Sequence, residues 1–499
     1  MPRRWNGRST GGDRETGEAE RISRSVASPM TRREFLLASA TAAAGLFLGS
    51  GGCGMLKRRR LNLILIVSDA LRADHLGCYG FPRPVTPSMD AFARRGVLFE
   101  NMVSCAPITG ASHASMMTGA YQTRHGVFAN GGRIADDLVT LAQACREADY
   151  RTAAFVSNPA LAPDWLIGID RGFETYDARL PSMERNRPSA YRDAADTSAA
   201  VLEWLNAVED RPFFLWVHFQ EPHGPYEVPD ASLLDRIGGL ARLEGEPSSL
   251  PLLAGNAGPG GIPRYQALGE ERDPVVYRSR YAARSCYVDG QIGKVLAAVR
   301  DQELEKGTVV VLISDHGELL GEHDYWFQHG ATVLQAGLHV PLIMVGPGIE
   351  AGRRIPSLVG STDLMPTLLE VLDLDLAEAS GQIQGRSLLP LIRGGTEREV
   401  APRYAISAEG LEWCVARGRY KYTAAIRGSR VAPLLVDLQA DPAEVRDIAD
   451  EEPGVVAELR DALTHFRESA SVVAPVGSGE VPRMTEEQRR RLKALGYLE

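Results

Sequence analysis

Short, continuous apolar runs recur along the chain, and most end in polar or turn-forming residues. A run of about four to eight apolar residues is typical of a strand buried on both faces, as in a parallel sheet. Runs of this kind predict strands at residues 61–67, 152–156, 213–219, 308–313 and 340–345. The pattern therefore predicts a central sheet that is covered on both sides.

Segments with apolar residues at helical spacing lie between these runs. They predict helices at residues 136–149, 195–208, 287–299 and 364–372. Strands that alternate with helices indicate a doubly wound α/β sheet. In such sheets, chemistry collects at the carboxyl ends of the strands. Asp69 and Asp315 each follow a predicted strand, so two distant segments can deliver carboxylates to one place.

The pattern changes near residue 400, where shorter strand-like runs are followed by two helical stretches. The predicted strands lie at 404–407, 413–417, 420–423 and 434–438, and the helices at 455–469 and 486–495. We therefore predict a catalytic domain at 60–400 and a smaller α+β subdomain at 401–499. Residues 232–273 are rich in Gly, Pro and Leu, which indicates a long insertion, either a lid or a disordered loop.

The first 56 residues are predicted to be a leader. Residues 1–29 are polar, Arg32-Arg33 precedes the apolar stretch 36–48, and small residues follow up to Cys53. This order is typical of a targeting signal, and it resembles a twin-arginine export signal. An apolar stretch of about 13 residues is too short to span a bilayer permanently. We expect an extracytoplasmic protein, with translation starting at Met1 or Met30.

The composition argues against a nucleic acid partner. It leaves open whether disulfides form and whether Cys53 carries a lipid. The net charge is −9, and no basic stripe with interleaved aromatic residues is present, so we expect no nucleic acid partner. The six cysteines are scattered, which favours buried free thiols over a disulfide scaffold, although one or two disulfides stay open. Cys53 is a candidate lipid attachment point, but Ser50 makes its lipobox imperfect.

The segment from Thr109 to Gly119 carries the most specific chemistry. A loop that ends at Thr109 and opens into a helix would place a hydroxyl at the helix N-terminus, where N–H groups and the dipole favour an anion. Taken alone, the threonine would more often be a simple N-cap.

This segment resembles the nucleophile segment of sulfatases in the alkaline phosphatase superfamily. Sulfatases carry a cysteine that is converted to formylglycine, and a Thr-Gly pair closes the motif. Counting back from Thr118-Gly119 places the nucleophile at Thr109, with His113 in place of the family's arginine. A threonine followed four residues later by histidine also resembles nucleotide pyrophosphatase/phosphodiesterases. Cys105 begins a second Cys-x-Pro, but it is out of register and lacks the arginine, so no formylglycine is expected.

The resemblance also implies a metal centre. Asp69 lies in a segment similar to the first sulfatase metal motif, although Ala70 replaces a second aspartate, and Asp315-His316 resembles the second motif. The implied ligands are Asp69, Asp315, His316 and the Thr109 oxygen. Oxygen-rich ligation suits Ca²⁺, Mg²⁺ or Mn²⁺, and the histidine leaves Zn²⁺ open.

The remaining site residues follow from the same resemblance. The residues it implies for catalysis are Thr109, His113, His223 and His329, and those for substrate binding are Asn130 and Asn158. Weaker candidates for supporting roles are His218, Glu221 and His323, and Glu221 could instead ligate a second metal. Each lone histidine could equally be a hydrogen-bonded core residue.

The implied fold is an alkaline-phosphatase/sulfatase-like doubly wound mixed sheet flanked by helices. The implied function is a metal-dependent hydrolase that cleaves phosphate or sulfate esters through a threonine nucleophile. Threonine lacks the second hydroxyl with which a formylglycine hydrate expels sulfate, so phosphoesters are slightly favoured. The alternatives are a true sulfuric ester hydrolase, a phosphotransferase and a degenerate binding protein. The expected substrate is a small-molecule, glycan-linked or lipid-linked anionic ester.

Overall fold

The fold is described by a computed structural model. It describes residues 60–166, 168–180, 191–208, 211–375, 379–396, 401–425, 434–470 and 485–496. From Arg60 onward the chain forms one compact unit. The predicted leader, including the twin-arginine segment and Cys53, lies outside the described residues.

Strands in the described residues form one large sheet, a smaller C-terminal sheet and a hairpin. They are β1 (Asn62–Ser68), β2 (Val97–Val103), β3 (Arg151–Phe155), β4 (Thr175–Asp177), β5 (Phe213–Phe219), β6 (Thr308–Ser314), β7 (Leu319–Leu320), β8 (Trp326–Gln328), β9 (Leu342–Val345), β10 (Arg353–Gly360), β11 (Arg403–Ile406), β12 (Glu412–Arg417), β13 (Tyr420–Ala425) and β14 (Leu434–Asp437). The large sheet has the order β10-β2-β9-β6-β1-β5-β3-β4. Only β9 runs antiparallel to its neighbours, so the sheet is mixed, as predicted.

Helices cover both faces of this sheet. The helices of the described residues are α1 (Pro87–Ala93), α2 (Thr109–Thr118), α3 (Gln122–His125), α4 (Leu141–Glu147), α5 (Ala194–Asn206), α6 (Ser232–Ile237), α7 (Pro274–Asp301), α8 (Gln335–Leu338), α9 (Leu364–Val371), α10 (Leu389–Ile392), α11 (Pro453–Glu468) and α12 (Glu486–Ala494). Alternate residues of β1 enter two cores, Leu63 and Leu65 with α2 and α9, and Ile64 and Ile66 with α5 and α7. The doubly wound prediction is confirmed.

Two helix predictions had the wrong start. The helix predicted at 136–149 begins at Leu141, because the Thr140 side chain accepts from the Gln143 N–H and forms a capping box there. The helix predicted at 287–299 is much longer and begins at Pro274, where the Asp273 side chain accepts from the Val275 N–H. Capping contacts, which apolar periodicity does not register, set both starts.

Strands β2 and β10 were not predicted. Glu100 and Asn101 interrupt the apolar run of β2, where the sheet is less deeply covered. Strand β10 contains Pro356, and its register shifts between Ile355 and Leu358. Because β10 lies at the edge of the sheet, a proline without an N–H donor and a local irregularity are tolerated there.

The C-terminal strands β11 to β14 form an antiparallel sheet, and α11 packs against it, as predicted for an α+β segment. The domain boundary near residue 400 remains a prediction. The insertion at 232–273 contains α6 and hydrogen-bonds to the β7–β8 hairpin: the Gly258 N–H donates to Gln328 Oε1 and the Gln266 side chain donates to the Phe327 carbonyl. In the described part of the chain no helix has the length and apolarity to cross a bilayer, and every described cysteine is a free thiol.

Candidate functional site

Three adjacent strands of the large sheet end at the same level. The parallel register aligns Ser68 at the end of β1 with Phe219 of β5 and with Ser314 of β6. Asp69 follows the first of these strands, Asp315 follows the last, and both are fully buried. The parallel pairing therefore brings together carboxylates that are far apart in the sequence.

Asp69, Asp315 and His316 form a group that could hold a metal ion, with one ligand atom of each within 4.8 Å of the others. His316 Nε2 lies 3.6 Å from Asp69 Oδ1 and 3.5 Å from Asp315 Oδ2. His316 Nδ1 is 2.8 Å from the Gly317 carbonyl. If Nδ1 carries the proton and donates to that carbonyl, the Nε2 lone pair points toward the two carboxylates, a common arrangement for metal-binding histidines.

Hydrogen bonds fix one oxygen of each carboxylate and leave the other without a partner. Asn158 donates to Asp69 Oδ2 at 2.7 Å. The N–H groups of Ala70 and His316 donate to Asp315 Oδ1 at 3.1 and 2.9 Å. Ala70 has a left-handed backbone (φ 60°), a strained conformation of the kind found near functional sites. Within the described residues, Asp69 Oδ1 and Asp315 Oδ2 accept no hydrogen bond.

The electrostatics of this group favour a bound cation. Burial raises the pKa of Asp69 and of Asp315. Burial lowers the pKa of His316, but the Asp315 and Asp69 carboxylates outweigh this effect and raise it. Two buried carboxylates that face one another are costly unless positive charge lies between them. The donor set of two carboxylates and an imidazole therefore fits a divalent ion.

Thr109 is the first residue of α2, and its hydroxyl reaches this group. Thr109 Oγ1 lies 3.3 Å from His316 Nε2. The N-cap position belongs to Ile108, so Thr109 does not cap the helix. The hydroxyl therefore lies at the N-terminus of a ten-residue helix and beside the candidate metal ligands.

Asn130 packs against the same helix start. Its Oδ1 accepts from the Gly110 N–H at 2.8 Å, so this N–H is not free to bind an anion. A Cβ added at Gly110 would lie 2.9 Å from Asn130 Oδ1, which explains why glycine follows the threonine. In the described structure Asn130 Nδ2 is buried and has no partner, so it is available as a donor to a substrate oxygen.

His223 and His329 lie beside His316. The ring centroids of His223 and His329 are 4.8 Å apart, and His329 stacks on His316 at 4.3 Å. His223 Nδ1 is 2.7 Å from the Gly224 carbonyl. His329 Nδ1 is 3.0 Å from Glu318 Oε1. These contacts fix the orientation of both rings within a single cluster of imidazoles.

His113 and His218 form a second pair of fully buried imidazoles. His113 Nδ1 lies 2.8 Å from the Thr109 carbonyl oxygen, so this ring touches the backbone of Thr109. Burial lowers the pKa of His113 to about 3 and that of His218 to about 4. Both rings are therefore neutral near neutral pH.

The weaker candidates differ in position. Glu221 is buried, and its Oε1 accepts from the Ala194 N–H at 3.3 Å. His323 is exposed. Cys105 has a buried thiol, and its backbone N–H donates to Ser361 Oγ. None of the three belongs to a metal-holding group of the described residues. Glu318 lies three residues after Asp315 in the sequence, and only the fold reveals its contact with His329.

The chain is similar to known proteins over most of its length. The family model described as Sulfatase matches residues 61–374, and the model described as N-sulphoglucosamine sulphohydrolase, C-terminal, matches residues 321–469. The choline-sulfatase of Rhizobium meliloti (strain 1021) is 27% identical over 422 residues, covering 77% of this chain and 80% of that protein.

Solved structures show the same fold. A 2-O GAG sulfatase superposes with a TM-score of 0.65 at 22% identity, covering 85% of this chain and 98% of that one. The phosphonate monoester hydrolase of Agrobacterium radiobacter superposes with a TM-score of 0.62 at 23% identity, covering 82% and 96%.

The contact between Asn158 and Asp69 generates a prediction about metal binding. Asn158→Ala removes the donor that orients Asp69, so Mn²⁺ affinity of the chelator-treated protein, measured by isothermal titration calorimetry, should fall by about 10- to 100-fold. Asn206→Ala, an exposed asparagine bonded to Gln302, is the matched control and should bind like the wild type. A normal Mn²⁺ affinity with a raised KM would instead assign Asn158 to substrate binding.

Proposed function

The chain belongs to the sulfatase family of ester-hydrolysing enzymes, and from this premise we propose that it cleaves its substrates with Thr109 as the nucleophile. The observation that carries the proposal is the position of Thr109 Oγ1, 3.3 Å from His316 Nε2 at the start of a buried helix. A hydroxyl in this position can attack a phosphorus or sulfur atom held at the carboxyl edge of the sheet.

Asp69, Asp315 and His316 are proposed to hold a divalent ion together with the Thr109 oxygen. Such an ion lowers the pKa of a coordinated hydroxyl and neutralises charge on the transferred group. The protein contributes the geometry: Asn158, Ala70 and the His316 N–H hold the two carboxylates so that one oxygen of each faces the imidazole. The ion is Ca²⁺, Mg²⁺ or Mn²⁺, with Zn²⁺ as the alternative.

Neighbouring side chains are proposed to bind the substrate anion and to transfer a proton to the leaving group. Asn130 Nδ2 is a neutral donor for an oxygen of the substrate. His223 or His329, protonated once the anionic substrate is bound, donates a proton to the leaving alcohol, with Glu318 holding the His329 ring in place. Attack by Thr109 forms a new ester bond as the alcohol departs. Water then breaks this bond, which restores the hydroxyl and releases the inorganic anion from a monoester or a phosphate monoester from a diester. His113 remains a candidate catalytic residue, because its ring bonds to the Thr109 carbonyl.

We favour phosphate mono- or diesters over sulfate esters. A threonine ester can be released only by attack of water on phosphorus or sulfur, because threonine has no second hydroxyl to expel the anion. The proposed anion contact is made by Asn130, whose side chain is neutral. The phosphonate monoester hydrolase among the structural neighbours acts on a phosphorus ester by name, and it supports this choice.

A true sulfuric ester hydrolase is the second candidate, since choline-sulfatase is similar over most of the chain. Phosphotransfer ranks below both. A degenerate binding role also ranks below them, because the ligand-type residues and the hydroxyl lie together. The alcohol portion is proposed to be a small molecule, a glycan or a lipid. Export by the twin-arginine-type leader, with Cys53 as a candidate lipid anchor, remains part of the proposal.

Thr109 variants test the nucleophile. Thr109→Ala should lower kcat by at least about 10³-fold, because no other hydroxyl replaces the lost one. Thr109→Ser keeps a hydroxyl and should retain activity within roughly tenfold. Thr118→Ala, at the opposite end of the same helix, is the matched control and should stay near wild type. Retained activity in Thr109→Ala would overturn the assignment.

Substrate preference is tested by side-by-side turnover. The purified protein should hydrolyse an aryl phosphate or an aryl phosphodiester with a higher kcat/KM than the matching aryl sulfate. Thr109→Ala protein, prepared in parallel, reports any contaminating hydrolase. Sulfate turnover far above both phosphoesters would reverse the preference and favour the sulfuric ester hydrolase.

A further inference from the structure

A second cluster of ligand-type side chains lies beside the first. His113 comes from the second turn of α2, His218 from the end of β5, and Asp315 from the residue after β6. All three are fully buried. One ligand atom of each lies within 4.8 Å of the others, and the two imidazole centroids are 5.1 Å apart. Three separate elements therefore direct these groups into one small volume.

The polar atoms of this cluster lack partners in the described structure. His113 Nε2, both ring nitrogens of His218 and Asp315 Oδ2 make no hydrogen bond. The shortest contact between the cluster's histidines and Asp315 is 3.6 Å, from His113 Nδ1, which is too long for a hydrogen bond. An unsatisfied buried polar group costs about 1–3 kcal/mol. Four such atoms in one place indicate a missing partner.

The contacts that do exist leave lone pairs without a hydrogen-bond partner among the described residues. His113 Nδ1 is tied to the Thr109 carbonyl, so Nδ1 carries the hydrogen and Nε2 offers a lone pair. A carboxylate oxygen such as Asp315 Oδ2 can only accept. An N–H donated to a backbone carbonyl is also the usual support of a metal-binding histidine. Acceptors that converge in this way are satisfied by a cation.

Asp315 belongs to both clusters. Its Oδ2 lies 3.5 Å from His316 Nε2 in the first cluster and 3.6 Å from His113 Nδ1 in the second. Within the described residues, the ion pairs of Asp69 and Asp315 involve histidines alone. A carboxylate that bridges two ions about 3.5–4 Å apart is a known arrangement in enzymes that transfer phosphoryl groups.

We propose that His113, His218 and Asp315 form a second divalent-cation site that shares Asp315 with the first. Two imidazole nitrogens and one carboxylate oxygen favour a borderline transition metal such as Zn²⁺ over Ca²⁺. The second ion adds positive charge beside the Thr109 helix. The proposal deepens the proposed function, because it rests on Asp315 being a ligand of the first ion, but it does not require Thr109 to be the nucleophile.

Metal stoichiometry tests the proposal. After equilibrium dialysis against Zn²⁺ and elemental analysis, the wild-type protein should hold two ions per chain, and His113→Gln or His218→Gln should hold one. His125→Gln, another fully buried histidine that bonds to Ser115, is the matched control and should keep two. One ion in the wild type, or two in both cluster variants, would overturn the second site.

A second measurement covers the case in which the variants do not fold. Anomalous diffraction at the zinc edge, on crystals of the wild-type protein grown with Zn²⁺, should show a peak about 2.0–2.2 Å from His113, His218 and Asp315. A water molecule there instead would overturn the proposal. Thr109→Ala should lose activity and still hold the ion at His113, His218 and Asp315. Activity retained in that variant would contradict the nucleophile and leave the ion count to judge the second site.

Discussion

The structure depends on the meeting of two buried carboxylates, from strand ends 246 positions apart, with no lysine or arginine paired to either one among the described residues. Burying like charges together is unfavourable unless a cation lies between them. The parallel pairing of β1 with β6 enforces the approach, and the hydrogen bonds to Asp69 and Asp315 aim one free oxygen of each at His316. The fold thus forms a site that favours a bound cation, and the start of α2 places the Thr109 hydroxyl beside this site.

Much of this arrangement was predictable from the sequence, because continuous apolar runs identify buried strands and polar residues directly after them identify their carboxyl ends. Asp69, Asp315 and the C-terminal sheet followed from that pattern. The side chains that contact the site residues could not be predicted from that pattern. The pairing of Asn158 with Asp69, and of Glu318 with His329, arises from long-range packing that no local pattern encodes. Strand β10 was missed because Pro356 is acceptable only at an edge, and edge position is a property of the whole sheet.

Neutral side chains dominate the surroundings of the proposed nucleophile. His113, His218, His223 and His329 are all held with lowered pKa by burial, so none supplies a fixed positive charge near neutral pH. The charge that develops on a transferred phosphoryl group must then be met by bound cations. This links the proposed threonine nucleophile, the proposed preference for phosphoesters and the proposed second cation site in one electrostatic account.

The central claim is that the Thr109 oxygen becomes covalently bonded to the transferred group. Mass spectrometry of protein that is acid-quenched during turnover of a slow aryl phosphodiester tests it most directly. The account predicts a phosphorylated peptide with the modification at Thr109. An unmodified Thr109 under conditions of measured turnover, or a modification at another residue, would contradict it.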